Sequence, residues 1–363
     1  MVIDIKKYIL SKLILPKTLI IDRPGIIINK TTRRYGKESV RTRIIYHFED
    51  IAINLYSEVL KKLGKEKADF LWYKIGKEAG TRYFLFVKRR KMPSLLMPLI
   101  IKHIFRTFDA AGMSFARDIF YNKKKKFLVT NGRNCAICRK TKSGDVMAGI
   151  TSGILSSLLK ENIEAEVRCT SCPDKCKIVA SPQIPRKYVP NFKELAPLKD
   201  YDRLNIPTEN GQTNLKSFTD LLKFKKIRIN GQNGSFYFQN KMIVPSEIGL
   251  PGIISKNYIE IGEKNLFKKT VINTSENIIH ELFGELNFQD KIKAIRNMVS
   301  AFGLGIMYLK KIKNTIILDF INPPITKFGP MFRAFILNGY INAVYDKKFG
   351  IKELTNKRIE LIM

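Results

Sequence analysis

The sequence predicts an α+β protein made of two related halves, each an antiparallel sheet packed with helices. Runs with the apolar periodicity of helices alternate with short strand-like runs, and the second half repeats the pattern of the first. A proline-rich stretch separates the halves, so we expect a first domain at residues 1–180, a linker at 181–207 and a second domain at 208–363. With 363 residues, 45% of them hydrophobic, the chain is large enough for a substantial core.

The first half begins with predicted strands, followed by three predicted helices. Thr18–Asn29 has the composition of one or two short strands. Ile44–Leu63 places its apolar residues on one helical face, and Ala68–Phe86 and Ser94–Phe105 are the next two helices. In the second helix two glycines lie one turn apart, which allows another backbone to approach closely.

Two strands, a long helix and two more strands complete the first half. The runs "MSFARDIFY" and "KFLVTN" flank four lysines and predict a hairpin with a basic tip. Asp145–Leu159 is a predicted helix with an aspartate at its start. The runs "IEAEVRC" and "CKIVA" are the last two predicted strands. In the linker that follows, Tyr188, Phe192 and Leu195 are candidates to anchor it to the surface.

The second half repeats the end of this pattern. The segment "TKSGDVMAGITSGILSSLLKENIEAEV" matches "TKFGPMFRAFILNGYINAVYDKKFGIKEL", with the helix Asp145–Leu159 equivalent to Met331–Tyr345. Upstream, "AGMSFARDIFYNKKKKFLVTN" matches "FGLGIMYLKKIKNTIILDFIN", a second hairpin with a basic tip. We therefore predict an internal duplication of roughly 150 residues, in which the second copy contains no cysteine.

The five cysteines occur in two short stretches and predict a metal site. Cys135 and Cys138 form C-x2-C, and Cys169, Cys172 and Cys176 form C-x2-C-x3-C about 30 residues later. The odd number and the spacing argue against disulfides. The favoured ligands of a structural zinc ion are Cys135, Cys138 and Cys169, with either Cys172 or Cys176 as the fourth. An iron–sulfur cluster is the alternative. The first pair precedes the long helix and the triplet joins two strands near its start.

The segment "GDVMAGITSGILSSLLKENIEAEVRCTSCPDKCKIVA" resembles the 4-vinyl-reductase-like domain family. "LWYKIGKEAGTRYF" is similar to that family's glycine-containing helix, and the resemblance extends over Arg41–Ala180 and, through the duplication, over Ile227–Met363. It implies an α+β sandwich that often pairs as a dimer, so a homodimer is expected. It also implies a ligand-binding sensor for small, often aromatic compounds, of the kind that is joined to transcription regulators.

The same resemblance implies a zinc site in some family members. Its ligands are a cysteine before the long helix, the glutamate and cysteine of E-x-x-C, and a later cysteine. Glu166, Cys169 and Cys176 match this pattern. Where the early cysteine is expected, this sequence has Ser143 and Asp145, which leaves Glu166 uncertain as a ligand because five thiols are present.

The net charge of +33, from 65 basic and 32 acidic residues, indicates a polyanionic partner. Residues 1–150 alone hold 33 basic and 12 acidic residues. Three basic stretches, "NKTTRRYGKESVRTR", "FVKRRK" and "YNKKKKF", supply the predicted nucleic-acid contacts. These are Arg33, Arg34, Tyr35, Lys37, Arg41, Arg43, Lys88, Arg89, Arg90, Lys91, Lys123, Lys124, Lys125 and Lys126. Neither a helix-turn-helix nor an aromatic ribonucleoprotein signature is present, which favours recognition of the backbone or shape.

No catalytic motif is evident. His47, His103 and His280 each lie in a helical pattern beside apolar residues, and the sequence has neither G-x-S-x-G nor a Walker loop. The apolar runs are too short to span a membrane, and the N-terminal stretch does not resemble a signal peptide, so a cytoplasmic protein is expected. The sequence thus predicts a non-enzymatic protein with structural zinc that binds DNA or structured RNA such as the ribosome. The alternative is a ligand-sensing transcription regulator.

Overall fold

The computed structural model describes residues 19–35, 38–85, 96–110, 115–133, 135–168, 176–185, 187–191, 215–230, 235–325 and 330–363. The first half contains β1 (Leu19–Arg23), β2 (Ile26–Tyr35), β3 (Glu38–Phe48), α1 (Glu49–Leu63), α2 (Lys65–Leu85), α3 (Met97–Ala110), β4 (Phe115–Asn122), β5 (Phe127–Arg133), α4 (Cys138–Thr141), α5 (Asp145–Leu159), β6 (Glu164–Val167) and β7 (Cys176–Ser181). The second half contains α6 (Phe218–Lys223), β8 (Ile227–Ile229), β9 (Phe236–Phe238), β10 (Lys241–Glu247), α7 (Gly249–Glu260), α8 (Lys264–Phe283), α9 (Phe288–Ala301), β11 (Ile306–Ile312), β12 (Thr315–Ile321), α10 (Met331–Tyr345), β13 (Gly350–Leu354) and β14 (Arg358–Ile362). The protein is α+β, with antiparallel sheets and repeated sheet–helix units.

The strands form three sheets that repeat between the halves. One four-stranded sheet has the order β4-β5-β7-β6 and another has the matching order β11-β12-β14-β13. The third sheet has six strands in the order β1-β2-β3-β10-β9-β8, so each half supplies three of them. Apart from the short helices α4 and α6, both halves follow the same sequence of strands and helices, with α5 and α10 in equivalent positions. The fold therefore has the internal repeat that the sequence predicts.

The two halves meet along the antiparallel pair of β3 and β10. Phe48 pairs with Ile243 at one end of this ladder, and Ile44 pairs with Glu247 at the other. Beyond the sheet, the first helix after each of these strands packs on the second helix of the other half. Asn257 of α7 donates to Glu78 of α2 at 2.9 Å, and Asn54 of α1 donates to Thr274 of α8 at 3.0 Å. The halves thus share both a sheet and a helical layer.

Within each half, one helix pair packs with its backbones in contact. A Cβ on Gly153 of α5 would lie 2.2 Å from the carbonyl oxygen of Lys77 in α2. In the second half, a Cβ on Gly339 of α10 would lie 2.3 Å from the carbonyl oxygen of Ile272 in α8. Real side chains do not approach this closely, so these positions require glycine. The two glycines are those that align in the sequence repeat.

The start of the first predicted helix is wrong. Ile44–Phe48 belongs to β3, and α1 begins only at Glu49. These five apolar or aromatic residues pair with β10, about 200 residues away in the sequence. Helical periodicity is a local signal, so it could not show that this segment is a strand. His47 consequently lies in a strand and not in a helix.

The predicted linker is partly attached to the first half. Its first residue, Ser181, is the last residue of β7. Tyr188 donates through its hydroxyl group to buried Glu78, and its carbonyl oxygen accepts from Lys77 Nζ at 2.6 Å. Phe192 and Leu195 lie outside the described residues. Tyr188 is thus the predicted anchor that the structure places.

Replacing Gly153 with alanine tests the backbone contact between α2 and α5. The added methyl group has no room beside the Lys77 carbonyl, so we expect a loss of about 1–3 kcal/mol in the free energy of unfolding. Gly350→Ala is the control, because the nearest neighbour of its Cβ, the carbonyl oxygen of Ile362, would be 3.8 Å away, and we expect a change within about 0.5 kcal/mol. Urea unfolding measures both. Equal losses would contradict the packing account.

Candidate functional site

The described cysteines lie around the start of α5. Cys176 begins β7 and pairs with Gly132 of β5, and Cys135 follows Gly132 by three residues, a separation that the chain spans in about 11 Å at most. Cys138 begins α4. All three thiols are buried. A Cβ on Gly144, immediately before α5, would lie 3.3 Å from Cys176 Sγ. The C-x2-C pair and the final cysteine therefore flank the same end of this helix.

These three cysteines do not form a complete metal site. Cys169 and Cys172 lie outside the described residues, and within the described part of the chain no group of three His, Cys, Asp or Glu residues is placed to hold a metal ion. Glu166 accepts a hydrogen bond from Arg168 Nε at 2.6 Å and forms an ion pair with the same residue. A metal here requires Cys169 or Cys172 as a further ligand.

Ser143, two residues before the start of α5, is hydrogen-bonded to carboxylates. Its hydroxyl group lies 2.8 Å from Asp69 Oδ1 and 3.2 Å from Asp145 Oδ2. Burial, and then the negative charge of Asp69, raise the pKa of the Asp145 carboxyl. The start of α5 therefore combines a buried thiol with two neighbouring carboxyl groups.

The second half has a different group at the equivalent place. By strand register, the pair Gly132–Cys176 corresponds to Phe320 and Lys357, where Phe320 N donates to the Lys357 carbonyl at 2.8 Å. The guanidinium of Arg333, from the first turn of α10, lies 4.6 Å from the centre of the Phe320 ring. Arg333 Nη2 donates to the carbonyl oxygen of Asn356 at 2.7 Å. A buried arginine thus links the elements that the cysteines flank in the first half.

A small pocket lies beside Arg333, between β3, α7 and α10. Its walls include Ile45, His47, Ile248, Phe332 and Ile336, and its volume is about 20 Å³. The lining is mostly apolar. The pocket is therefore a candidate ligand site formed by both halves.

His47 in this pocket is a neutral side chain. It is 5% exposed, and its Nδ1 lies 3.0 Å from the carbonyl oxygen of Val244, to which it donates. Burial lowers the pKa of its imidazole to about 4. His47 is therefore a packed histidine, and it packs from strand β3.

Several predicted nucleic-acid contacts have no described side chain. Lys37 and residues 88–91 lie outside the described residues, and for Arg33, Arg34, Tyr35 and Arg41 only the strand placement is described. Arg43 is 4% exposed, so its prediction as a surface contact is wrong. It donates to the carbonyl oxygens of Gly25, Gly303, Asn322 and Pro323. Arg43 therefore joins loops inside the protein.

The lysine run of the first hairpin lies at its tip, as the sequence predicts. Lys123, Lys124 and Lys125 are exposed in the turn between β4 and β5. Lys126 is half-buried and forms an ion pair with Glu161. In the second half the equivalent hairpin of β11 and β12 has three exposed lysines, Lys310, Lys311 and Lys313. Each half therefore presents a basic hairpin tip.

A basic groove in the second half was not predicted. Lys225, Lys226 and Arg228 line a groove of about 500 Å³ together with Phe224, whose exposed fraction is 60%. The groove lies between the turn after α6 and the turn joining β9 to β10. The sequence signal was the run "KFKKIR", in which an aromatic residue stands among cations.

Comparison with known proteins assigns no family. No family model matches the sequence, and no curated protein does. Among solved structures, the chain is similar to the phenol-responsive sensory domain of the transcription activator PoxR, solved with phenol. The match has a TM-score of 0.34 and 17% sequence identity, and it covers 45% of this chain and 94% of that one. A TM-score this low establishes neither a shared fold nor a function.

None of the helices in the described part of the chain combines the length and the apolar character that crossing a membrane requires.

The neutral state of His47 predicts a pH-dependent stability. Above its ordinary pKa of 6.5 the ring is neutral in both the folded and the unfolded protein. As the pH falls from 6.5 to 4, only the unfolded state takes up the proton, so the free energy of unfolding falls by roughly 3 kcal/mol. His47→Asn keeps a donor to Val244 and should reduce this fall. Denaturant unfolding between pH 7 and 4 measures the difference, and identical profiles would contradict it.

Proposed function

We propose that the protein is a non-enzymatic nucleic-acid-binding protein that contacts mainly the phosphate backbone. The observation that carries the proposal is the groove of Lys225, Lys226 and Arg228 beside exposed Phe224. Cations in a groove follow a chain of phosphates, and an exposed aromatic ring supplies a surface on which an unpaired base stacks. This combination fits a nucleic acid better than a folded acidic protein.

The charge balance inside the groove supports the proposal. Its acidic lining residue is Glu281, which forms an ion pair with Lys241 at 2.5 Å. Phe224 keeps its ring at the surface, with Lys216 Nζ 5.3 Å from the ring centre. A single exposed aromatic ring is common on protein surfaces, but beside cations it offers a face on which a base can stack. Phosphates and bases together suit both parts of this surface.

The two hairpin tips extend the basic surface beyond the groove. Lys123–Lys125 in the first half and Lys310, Lys311 and Lys313 in the second lie at the tips of equivalent hairpins of the repeat. Lysines at a tip act as point charges on phosphates and carry little sequence information. Such contacts agree with binding to the backbone or shape of DNA or structured RNA, the ribosome included.

A structural zinc ion in the first half is part of the proposal. Buried Cys135, Cys138 and Cys176 at one end of α5 support it, because thiolates in this spacing suit tetrahedral zinc. The proposed ligand set is Cys135, Cys138 and Cys169, with either Cys172 or Cys176 as the fourth ligand. Such an ion would cross-link β5, β7 and the start of α5, and it would leave no open position for catalysis.

A second candidate function is small-ligand sensing, in a domain of the 4-vinyl-reductase-like type. The pocket lined by Ile45, His47 and Phe332 favours it, because both halves contribute walls and a ligand there would bear on their contact. Binding of a small compound without any affinity for nucleic acid would favour this function over the first.

Neutralising the groove should weaken nucleic-acid binding. In Lys225→Ala/Lys226→Ala/Arg228→Ala we expect lower affinity for unrelated sequences alike, because phosphate contacts are lost. The slope of log affinity against log salt should become shallower by about one unit for each contact removed. Fluorescence anisotropy with DNA and RNA oligonucleotides measures both quantities.

The matched control is Lys264→Ala/Lys268→Ala/Lys269→Ala, which removes the same charge from the exposed start of α8. That end lies about 18–25 Å along the helix from Glu281 in the groove. Equal weakening in the two triple variants would contradict a specific role of the groove. Failure of the unmodified protein to bind either nucleic acid at about 50 mM salt would remove the proposal.

Purified protein should contain about one zinc ion per chain. Cys169→Ser should release it and lower the melting temperature, because a structural metal stabilises the folded state. Cys172→Ser and Cys176→Ser distinguish the two alternative ligand sets. Only the variant that removes the actual fourth ligand should lose as much zinc as Cys169→Ser does. Elemental analysis and thermal unfolding measure the effect. Absence of metal, or a brown iron chromophore, would refute the zinc site.

A further inference from the structure

Arg333 is a buried cation without an anionic partner in the described part of the chain. It is 5% exposed, and among the described residues its Nη2 donates to the carbonyl oxygen of Asn356. Its Nε and Nη1 have no hydrogen-bond partner among the described residues. Because Nε carries one N–H group and Nη1 carries two, three donors remain. A buried charge in this state is costly unless an anion or water meets these donors.

The surroundings of Arg333 increase this cost. Burial of Arg333 lowers the pKa of its guanidinium to about 9, and the positive charge of Arg43 contributes to this shift. Arg43 is only 4% exposed. Arg43 is itself directed at four backbone carbonyls. The positive charge of Arg43 therefore adds to the cost of burying Arg333, and a negative charge beside Arg333 would be favourable.

The pocket beside Arg333 limits the kind of anion. Its volume of about 20 Å³ is little more than one water molecule needs, so the anionic group must be small. The walls formed by Ile45, Ile248 and Ile336 are apolar, and burial keeps His47 neutral. A phosphate or sulfate group needs more donors than these walls offer, whereas a carboxylate on a short hydrocarbon chain suits them.

We propose that this pocket binds the carboxylate group of a small organic acid. Its oxygens accept hydrogen bonds from the N–H groups of Arg333, and its short hydrocarbon part lies at the edge of this small pocket, against the apolar side chains there. The site lies where β3 of the first half meets α10 of the second, so an occupant stabilises the contact between the halves. A sensing role for this binding rests on the second candidate function, small-ligand sensing. The binding of the carboxylate itself does not depend on nucleic acid.

Arg296 provides a matched control for this site. Like Arg333, it donates to a backbone carbonyl, that of Met307 at 3.1 Å, and lies over an aromatic ring, Tyr308 at 5.9 Å. It does not line the pocket. Replacing either residue with methionine removes one charge and one ring contact, so a difference in ligand response reports the pocket alone.

The test is calorimetric and thermal titration of the full chain with sodium acetate and sodium propionate, against sodium chloride and sodium phosphate at equal ionic strength. We expect saturable binding of the carboxylates and a rise in melting temperature that chloride does not give. Arg333→Met should lose at least tenfold in carboxylate affinity, and Arg296→Met should keep it. Without ligand, Arg333→Met should melt no lower than the unmodified protein, because a buried unpaired charge has been removed.

Three results would overturn the proposal: no saturable response to carboxylates, an undiminished response in Arg333→Met, or a response to phosphate alone. The first would leave water as the occupant of the pocket. If Arg333→Met does not fold, Arg333→Lys is used, which keeps the charge but changes the donor geometry. It should weaken carboxylate binding relative to Arg296→Lys. Because no nucleic acid is present, the outcome is separate from the test of the basic groove.

Discussion

The pairing of β3 with β10 is the constraint on which the rest of the structure depends. It joins three strands from each half into one sheet, and its register decides which side chains of Ile44–Phe48 face the core. A register shift by one residue would move each of these side chains, Phe48 and His47 included, to the other face of the sheet. The same pairing sets α1 on α8, through the bond from Asn54 to Thr274, and α7 on α2, through the bond from Asn257 to Glu78. The halves therefore support each other's cores and are not independent units.

Within this shared framework, the same end of the long helix carries different chemistry in each half. Buried thiols flank the start of α5, and the guanidinium of Arg333 lies near the start of α10. Both places join a helix start to the ends of two neighbouring strands. In the first half we propose a metal ion as this link, and in the second half the link is an arginine that retains spare donors. The repeat thus conserves the geometry of a junction while changing the group that fills it.

The sequence predicted the long periodic elements well and the long-range partners poorly. The helix Asp145–Leu159 and its equivalent Met331–Tyr345 have the predicted bounds, because apolar periodicity and the glycine spacing are local signals. Ile44–Phe48 fits either a helix or a strand, and only β10 decides between them. Arg43 and Arg333 were not expected in the interior, since burial depends on residues distant in sequence. The basic groove was missed because its cations are divided between a turn and a strand.

The most direct test of the proposed function is to map where a bound nucleic acid touches the protein. A mixture of RNA and DNA oligonucleotides is bound at low salt, cross-linked by ultraviolet light and digested, and the modified peptides are identified by mass spectrometry. The account predicts cross-links at Phe224 and its neighbouring cations, with further ones at the two lysine tips. Cross-links confined to other surfaces, or none at all with folded protein, would contradict it.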